Sequence, residues 1–450
     1  MESECAFPSN GQEIGANEMP PGAVRVGIVG GGFGALMAYV VLRFRGLPSR
    51  EIRVFTPDVS PERSWERFVR AIGLDALRSE SVAHFFPTDS PGLATVEACK
   101  AWSLKPILLS WFDRYHPTVD AFLQHTQCLA RQTRFYHSVV PCVVGRVLKR
   151  DGLFTISDDQ ERPIGHARHV IFAVGHGHVV APRPLAEFRE THGFDPRVVH
   201  AYEEKQYAPP RTVLVVGDGL TAGTEWVSIL ETGGTVIALS RTGFSIGQPL
   251  NTPRRYFSRR GIAPYRRQPE EGRRAELQQA TRGTIPAYPA WMRLFHRALR
   301  KGRLERVRGE LISIEETDMG ALRCTLRLPD GHALRTVVVH QVVAATGFQP
   351  VVTHPLLAQL VADYHLPTVD GILKVRDDFC IDELSTPTSV AAVIGPAAAW
   401  ALPSADSLGG MKIVAHHIAT LLLGPESWHP RDLFQKTVRW ATLVAGKEIA

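Results

Sequence analysis

The chain has 450 residues, too many for one ordinary hydrophobic core, so we expect two or three folding units. Its 44% hydrophobic and 21% charged residues are typical of a globular protein and exclude a disordered or fibrous chain. The formal net charge of +6 comes from 51 basic and 45 acidic residues; a phosphate-bearing cofactor explains this modest excess as well as a nucleic acid does, and we expect no nucleic-acid partner.

The N-terminal 22 residues are rich in Gly, Pro, Asn and Glu, and they predict a flexible tail without the pattern of a secretory signal. No apolar run reaches the roughly 18 residues of a membrane helix, so we expect a cytoplasmic protein with no membrane partner. The six cysteines are scattered without CxxC spacing, which argues against a disulfide framework. His176-x-His178 has no third ligand at a credible spacing, so we predict no metal site.

The segment from Val24 to Phe55 predicts a βαβ unit, with a buried strand, a glycine turn, an apolar helix and a second strand. The turn carries Gly30-x-Gly32-x-x-Ala35. Its first glycine permits a tight turn, its second lets a pyrophosphate approach the backbone, and its small third residue allows close packing of helix on strand. The phosphates then lie at the helix N-terminus, where free N–H groups favour anions. The predicted dinucleotide-binding residues of this unit are Gly30, Gly32, Gly34 and Ala35.

An acidic residue about 20 positions further on usually binds the ribose hydroxyls. The corresponding residue here is Thr56, and the nearest carboxylate is that of Asp58. We therefore take both as candidates for the ribose.

A second fingerprint, Gly217-x-Gly219-x-x-Ala222, follows the strand Val213–Val216 and opens another helix. The next strand ends in Ser240-Arg241-Thr242, with an arginine and no acid at the ribose position. An arginine there suits a 2′-phosphate and therefore NADP, so Gly217, Gly219, Ala222 and Arg241 are predicted to bind it. The alternative is an exposed arginine after a strand.

The rest of the chain predicts strands, connectors and one insertion. The arginine-rich stretch from Arg254 to Arg274 predicts a solvated or cofactor-facing surface, with an anionic partner as the alternative. The other predicted segments are strands at 139–148, 168–174, 310–316, 321–328 and 337–345, a polar connector at 183–210, an insertion of helices and loops at 243–310, and a helix at 413–423.

In motif order over residues 24–420, the sequence resembles the class B flavoprotein monooxygenases, the group of flavin-containing monooxygenases, Baeyer–Villiger enzymes and lysine/ornithine N-hydroxylases. Phe172–His176 resembles the family's ATG linker, and Ala345–Phe348 resembles its return ATG motif. Phe194–His200 resembles the FxGxxxH signature, with Pro196 in place of the glycine. The resemblance implies FAD on the first unit and NADPH on the second, with further cofactor contacts from Gly175, His176, Thr346 and Gly347.

Two more groups of residues follow from the resemblance. Ile394-Gly395-Pro396 occupies the place of the last FAD motif, where related flavoproteins often have Gly-Asp, and Ser407–Met411 opens the helix that points at the flavin in such folds. Gly395, Gly409, Gly410 and Met411 are thereby implied as cofactor contacts; the alternative is a glycine turn before a packing helix. The implied candidates for the reaction site are Arg78, Ser79, His84, His176 and His200, with Arg78, Ser79 and His200 as the catalytic residues.

The predicted fold is α/β, with two Rossmann-like dinucleotide-binding domains and the NADPH domain inserted into a discontinuous FAD domain. The FAD domain is predicted at 23–190 and 340–450, and the NADPH domain at 191–339 with the arginine-rich insertion at 243–305. The implied reaction is monooxygenation, in which NADPH reduces FAD and molecular oxygen then forms a flavin C4a-hydroperoxide that oxygenates N, S or a ketone of a small-molecule substrate. The alternatives are an NADPH-dependent flavin reductase or oxidase and a non-catalytic sensor or assembly protein, and a homo-oligomer stays open.

Overall fold

In the computed structural model, the described residues are 22–77, 86–88, 92–111, 116–207, 211–243, 246–247, 253–281, 284–287, 289–426 and 429–449. The predicted flexible tail lies outside them except for Gly22. None of the helices in these ranges combines the length and apolarity needed to span a membrane.

Within the described residues, two stretches of the chain begin with a strand, a helix and a second, parallel strand, at 24–56 and at 212–240, as in a doubly wound fold. The strands are β1 (Val24–Val29), β2 (Ile52–Thr56), β3 (Val139–Pro141), β4 (Val144–Arg150), β5 (Leu153–Asp158), β6 (Pro163–Phe172), β7 (Val198–His200), β8 (Thr212–Val216), β9 (Thr235–Ser240), β10 (Ile246–Gly247), β11 (Ile285–Pro286), β12 (Leu304–Arg308), β13 (Glu310–Glu316), β14 (Leu322–Arg327), β15 (Leu334–Val339), β16 (Gln341–Ala344), β17 (Thr368–Val369), β18 (Ile372–Leu373) and β19 (Ala391–Val393).

The helices include the two that begin at the fingerprints. They are α1 (Phe33–Phe44), α2 (Arg63–Ala71), α3 (Gly92–Ala101), α4 (Lys105–Trp111), α5 (Val119–Gln132), α6 (Arg183–His192), α7 (Leu220–Glu231), α8 (Arg259–Arg266), α9 (Glu270–Thr281), α10 (Pro289–Arg300), α11 (Pro355–Tyr364), α12 (Leu408–Leu423) and α13 (Pro430–Val444).

The first sheet has a parallel core formed by β3, β2, β1, β6 and β19. The start of β6 also pairs antiparallel with β5, and β5 pairs antiparallel with β4. β1, β2, β19 and the second half of β6 are almost fully buried, because α1, which packs on α12, covers one face and the β4–β5 hairpin folds over the other. β3, at the edge, is only partly buried.

The short connection between β3 and β4 forces the hairpin to fold over the sheet. In the order β3-β2-β1-β6-β5-β4, five spacings of a flat sheet would separate β3 from β4 by roughly 24 Å. The three-residue step from Pro141 to Val144 reaches at most about 11 Å. The antiparallel strands therefore curl back over β1 and β2, and a Cβ placed on Gly165 of β6 would lie 2.6 Å from the Phe55 ring.

The second sheet is parallel throughout, in the order β12-β9-β8-β16-β7. The predicted connector at 183–210 is wrong in part, because its apolar residues build α6 and β7. Val198 and Val199 of β7 are completely buried against β16, and Leu185 and Phe188 of α6 are buried on the same sheet.

The predicted strand at 337–345 is in fact two strands in different sheets. β15 alternates exposed and buried residues and pairs antiparallel with β14, whereas β16 is buried at all four positions and enters the second parallel sheet. The change of burial pattern at His340 marks the break. β16 thus belongs to the second sheet, although the predicted domain boundary at 340 assigns its residues to the first unit.

Five arginines of the arginine-rich stretch are exposed, in agreement with the predicted solvated surface: Arg254, Arg255, Arg260, Arg267 and Arg274. Four arginines of the stretch also form ion pairs. Its side chains attach the 253–281 segment to the first unit. Arg273 donates to the Trp400 carbonyl at 3.1 Å and pairs with Asp377 at 2.5 Å, and Tyr265 donates to the same carbonyl at 2.8 Å. Arg274 makes a two-bond contact with Asp370. Paired arginines of this kind are structural rather than available to an anionic partner.

A buried lysine joins the two units. The Lys205 ammonium, with its side chain 2% exposed, pairs with the fully buried Glu225 of α7 at 2.9 Å and donates to the carbonyl of Ala71 at the end of α2 at 2.7 Å. Tyr207 also donates to the Glu225 carboxylate. Because α2 belongs to the first unit and α7 to the second, this charge fixes one against the other.

Replacing this ammonium should destabilise the protein strongly. We expect Lys205→Met to lower the free energy of unfolding by about 3 to 5 kcal/mol, because Glu225 would keep an uncompensated buried charge. The matched control is Lys436→Met, whose partner Glu426 is 40% exposed, and we expect it to change the same quantity by less than about 1 kcal/mol. Urea denaturation of both variants measures the difference, and equal midpoints would contradict the assigned role of Lys205.

Candidate active site at the edges of two sheets

Three strands of the first sheet end together at the start of α1. Val29, Phe172 and Val393 are in register, so β1, β6 and β19 place their carboxyl ends side by side. The chain leaves β1 through Gly30, which has φ +105° and whose Cβ, if present, would lie 2.2 Å from the Ala173 carbonyl oxygen. Only glycine can make this turn. In open α/β sheets, ligands bind at this carboxyl edge.

The N-terminus of α1 is open toward this edge. Its N-cap residue, Gly32, has no side chain to accept the first free N–H groups, and a Cβ there would meet nothing within 4 Å. By contrast, Ser407 accepts the Gly410 N–H at the start of α12. The first turn of α1 therefore offers unblocked donors and empty space to an anion. Ala35 is fully buried, and a Cβ placed on Gly34 would lie 3.4 Å from the Ile394 side chain.

The predicted ribose residues are engaged within their own turn. Thr56 is buried, and its hydroxyl donates to the Asp58 carbonyl at 3.1 Å and accepts the Asp58 N–H at 3.2 Å. The Asp58 carboxylate pairs with Arg63 at 2.9 Å. Contact of Thr56 with a ribose stays a prediction, and it would require the hydroxyl to exchange these bonds.

The second sheet repeats the turn geometry of the first. Gly217 donates to the Leu239 carbonyl at 2.9 Å, as Gly30 does to the Phe55 carbonyl at 2.9 Å. A Cβ on Gly217 would lie 2.3 Å from the Ala345 carbonyl oxygen, and its φ is +138°. Gly219 is the N-cap of α7 and Ala222 is fully buried beneath it. The second fingerprint thus builds the same phosphate-binding geometry.

A carboxylate that the sequence analysis did not single out lies in this second turn. Asp218 accepts hydrogen bonds from the Ser240 hydroxyl at 2.6 Å and from the Thr242 hydroxyl at 3.1 Å. Arg241 is exposed and makes no hydrogen bond or ion pair with another described residue. The sequence could have indicated Asp218, because the two glycine turns are equivalent. In each turn, the residue between the first two glycines faces the end of the next strand.

The two predicted linkers lie against each other. Val180 donates to the Gly347 carbonyl at 2.9 Å, Gln349 donates to the His178 carbonyl at 2.7 Å, and Thr346 donates its hydroxyl proton to the Val180 carbonyl. One linker leaves the carboxyl edge of the first sheet after β6, and the other leaves that of the second sheet after β16. Their antiparallel contact brings both edges to one cleft.

Aromatic rings fill the space behind this contact. The His176 ring stacks on Phe348 with centroids 4.5 Å apart, and Tyr202 stacks on the same ring at 5.3 Å. Phe68 of α2 packs on Tyr202 at 4.6 Å and completes the cluster. His176 was predicted from its motif, whereas Phe68 and Tyr202 lie far from it in sequence and were missed.

His176 faces a second cleft residue, Asp406. Both side chains reach solvent, yet protein surrounds them closely, as in a deep cleft. Burial lowers the pKa of His176, while the negative charge of Asp406 acts in the opposite direction. Burial raises the pKa of Asp406. The pair places two titratable groups beside Ser407 and the start of α12.

The predicted catalytic His200 lies behind the cleft at the end of β7, and 1% of it is exposed. Burial lowers its pKa to about 4, so its ring is neutral at pH 7. Its Nδ1 accepts the Tyr202 N–H at 3.2 Å, which leaves the proton on Nε2, and this buried nitrogen has no partner among the described residues. Catalysis by His200 stays a prediction, and the ring is poised as a donor rather than as a base.

The remaining predicted cofactor contacts differ in how much space surrounds their Cβ positions. Gly395 has φ +78° and open space at its Cβ position, whereas Gly410 packs so closely on the Ser404 carbonyl that a Cβ would lie 1.8 Å from its oxygen. Gly409 is buried and Met411 half-buried in the same helix turn, and Gly175 and Gly347 lie in the two linkers.

Three of the predicted reaction-site residues, Arg78, Ser79 and His84, lie outside the described residues. Across the ranges that are described, no three His, Cys, Asp or Glu side chains converge as a metal site would require.

This arrangement defines the fold class: it is the fold of flavoproteins with two dinucleotide-binding domains, which confirms the predicted α/β architecture. Neither models of known families nor curated protein sequences match the chain. Among solved structures, KtzI, an ornithine N-hydroxylase of Kutzneria sp. 744 in a form named with FADred, NADP+ and L-orn, is 17% identical with a TM-score of 0.65, over 89% of this chain and 99% of that one.

Two further structures share the fold. DfoA from Erwinia amylovora, a cadaverine monooxygenase bound to FAD, is 16% identical with a TM-score of 0.67, over 90% of this chain and 95% of that one. The bacillithiol disulfide reductase Bdr of Bacillus cereus is 16% identical with a TM-score of 0.55, over 90% of this chain and 100% of that one. At these identities the likeness is one of fold, and at that level it confirms the predicted resemblance to the N-hydroxylases.

Two glycines of the first fingerprint should respond differently to alanine. Gly30→Ala forces a positive φ and a backbone collision, so we expect the apo-protein to lose about 2 kcal/mol or more of folding stability. In Gly32→Ala the new methyl group meets no protein atom, so the free energy of unfolding should change by less than about 1 kcal/mol. The methyl group enters the space in front of the α1 amides, so FAD binding should weaken by about tenfold or more. Thermal unfolding and quenching of flavin fluorescence measure the two effects. Wild-type FAD affinity in the Gly32 variant would contradict the assignment of this turn.

Proposed function

We propose that the chain is an FAD-dependent, NADPH-consuming monooxygenase that oxygenates a nucleophilic N or S atom, or a ketone, of a small molecule. The single observation that carries this proposal is the antiparallel contact of the two linkers at Val180 and Gly347. It turns the carboxyl edges of two Rossmann sheets toward one cleft, and hydride transfer between two dinucleotides needs such an arrangement. The named substrates of KtzI and DfoA make primary amines the first compounds to test.

The residues present fit two dinucleotides. Gly32 and the first turn of α1 would hold the FAD pyrophosphate, and Gly219 with the first turn of α7 would hold that of NADPH, because each helix begins with a glycine in place of a side-chain cap. Arg241, exposed at the end of β9, would bind the 2′-phosphate. We also propose that the NADPH domain is inserted into the FAD domain and that the chain returns to the FAD domain after β16.

The chain's own groups would position the reactants and exclude water. Bound FAD and NADPH supply hydride transfer and activation of oxygen, and one oxygen atom goes to the substrate and the other to water. The stacked rings of His176 and Phe348 lie between the two edges, where they would close off solvent from behind. His176 can accept or return a proton on the cleft side, where burial lowers its pKa and the negative charge of Asp406 would stabilise its protonated form.

The proposal is tested with purified protein, reconstituted with FAD where needed. We expect the absorption bands of bound flavin, bleaching by NADPH without oxygen, and oxygen consumption in air. With ornithine, lysine, cadaverine, thioethers and ketones offered in turn, at least one should give an oxygenated product in near-equal amount to the NADPH consumed. Mass spectrometry of the product and a peroxide assay measure the yield.

Two outcomes would contradict monooxygenation. If NADPH is oxidised and every compound yields only hydrogen peroxide, the chain is a flavin reductase or oxidase. If the protein stays colourless after incubation with FAD, the non-catalytic alternative is favoured, and the internally bonded Thr56 hydroxyl would be its structural reason.

A further inference from the structure

The nucleotide preference of the second unit depends on which groups meet the adenosine ribose. In a Rossmann unit the last residue of the second strand lies beside that ribose, and an acid there selects the 2′-hydroxyl whereas an arginine selects the 2′-phosphate. The repeated turn geometry identifies this residue in both units. Gly30 bonds to Phe55 and Gly217 to Leu239, so Thr56 and Ser240 are equivalent.

The residue between the first two glycines points at this position. In the first unit it is Gly31, and a Cβ there would lie 2.3 Å from the Thr56 hydroxyl oxygen. In the second unit it is Asp218, whose carboxylate lies 2.6 Å from the Ser240 hydroxyl oxygen. A negative charge therefore stands beside the ribose position of the second unit, contributed by the glycine turn rather than by the strand end.

This carboxylate also occupies the donors that a 2′-phosphate would use. The Ser240 hydroxyl has the Gly243 carbonyl within 3.1 Å as well, but its single proton favours the shorter bond to the charged Asp218 oxygen. Thr242 donates to the same carboxylate oxygen at 3.1 Å. Arg241 remains as the one cation of the Ser240-Arg241-Thr242 segment, and it is exposed.

We infer that Asp218 is a specificity-determining residue, which weakens binding of the 2′-phosphate and leaves the site open to NADH as well as NADPH. The inference rests on the proposed function, because it concerns the nucleotide of the same second unit. Removing the charge while keeping the size of the side chain ends the repulsion and replaces a charged acceptor with a weaker neutral one. The two hydroxyls can then turn toward a phosphate at lower cost, so NADPH binding should strengthen and NADH binding should not.

The test compares Asp218→Asn with the wild-type holoenzyme by calorimetric titration of NADP+ and NAD+. We expect the variant to bind NADP+ about tenfold more tightly, with NAD+ affinity unchanged or weaker. The gain should shrink at high salt, because it arises from removal of a like charge. Arg241→Ala is the matched variant with the opposite expectation, since it should weaken the binding of NADP+ and leave the binding of NAD+ unaltered. Asp218→Ser gives a second variant should the asparagine side chain disturb the turn.

Each outcome decides between the claims. A ratio of NAD+ to NADP+ dissociation constants within twofold of wild type in both Asp218 variants would overturn the inference while leaving the proposed function intact. Failure of the wild-type holoenzyme to bind either nucleotide would overturn the proposed function itself. A wild-type protein that binds NADP+ more than a thousandfold better than NAD+ would also contradict a role for Asp218 in weakening the phosphate site.

Discussion

The architecture depends on the contact between the two linkers that leave the parallel sheets. The hydrogen bonds from Val180 to Gly347 and from Gln349 to His178 join a segment that follows β6 to one that follows β16. Since the carboxyl ends of parallel strands carry the ligand sites of such sheets, this one contact decides that two independent binding edges share a cleft. Without it, each fingerprint would describe a separate nucleotide-binding unit with no means of passing a hydride to the other.

The surrounding packing holds that contact in place. Lys205 and Glu225 place a buried ion pair across the boundary, where its high cost of rearrangement favours one relative orientation of the two units. The aromatic cluster around Phe348 fills the space behind the linkers, and the segment with Tyr265 and Arg273 ties the second unit to the loop before α12. Among the described residues, the second unit is therefore attached to the first by the linkers, by the Lys205–Glu225 pair and by the arginine-rich segment.

The two glycine turns and the fold class could be predicted because both rest on local geometry: Gly30 and Gly217 each repeat a short pattern with a steric reason. The connector at 183–210 was wrong because β7 has only three residues and gains its stability from β16, more than 140 residues away. The exposure of the arginine-rich stretch was predicted, but its pairing with Asp370 and Asp377 could not be, because charge pairing between distant segments is a tertiary property. Asp218 was missed because a pattern written with x positions discards the side chain that faces the end of the next strand.

The central claim is that one chain holds two dinucleotides at the same time, one on each turn. Native mass spectrometry of the full chain, incubated with FAD and then with NADP+, counts them directly. The account predicts a species that carries one FAD and one NADP+ per chain, with the Gly32→Ala variant losing only the FAD. A protein that never carries both together, or in which NADP+ displaces FAD, would contradict the account.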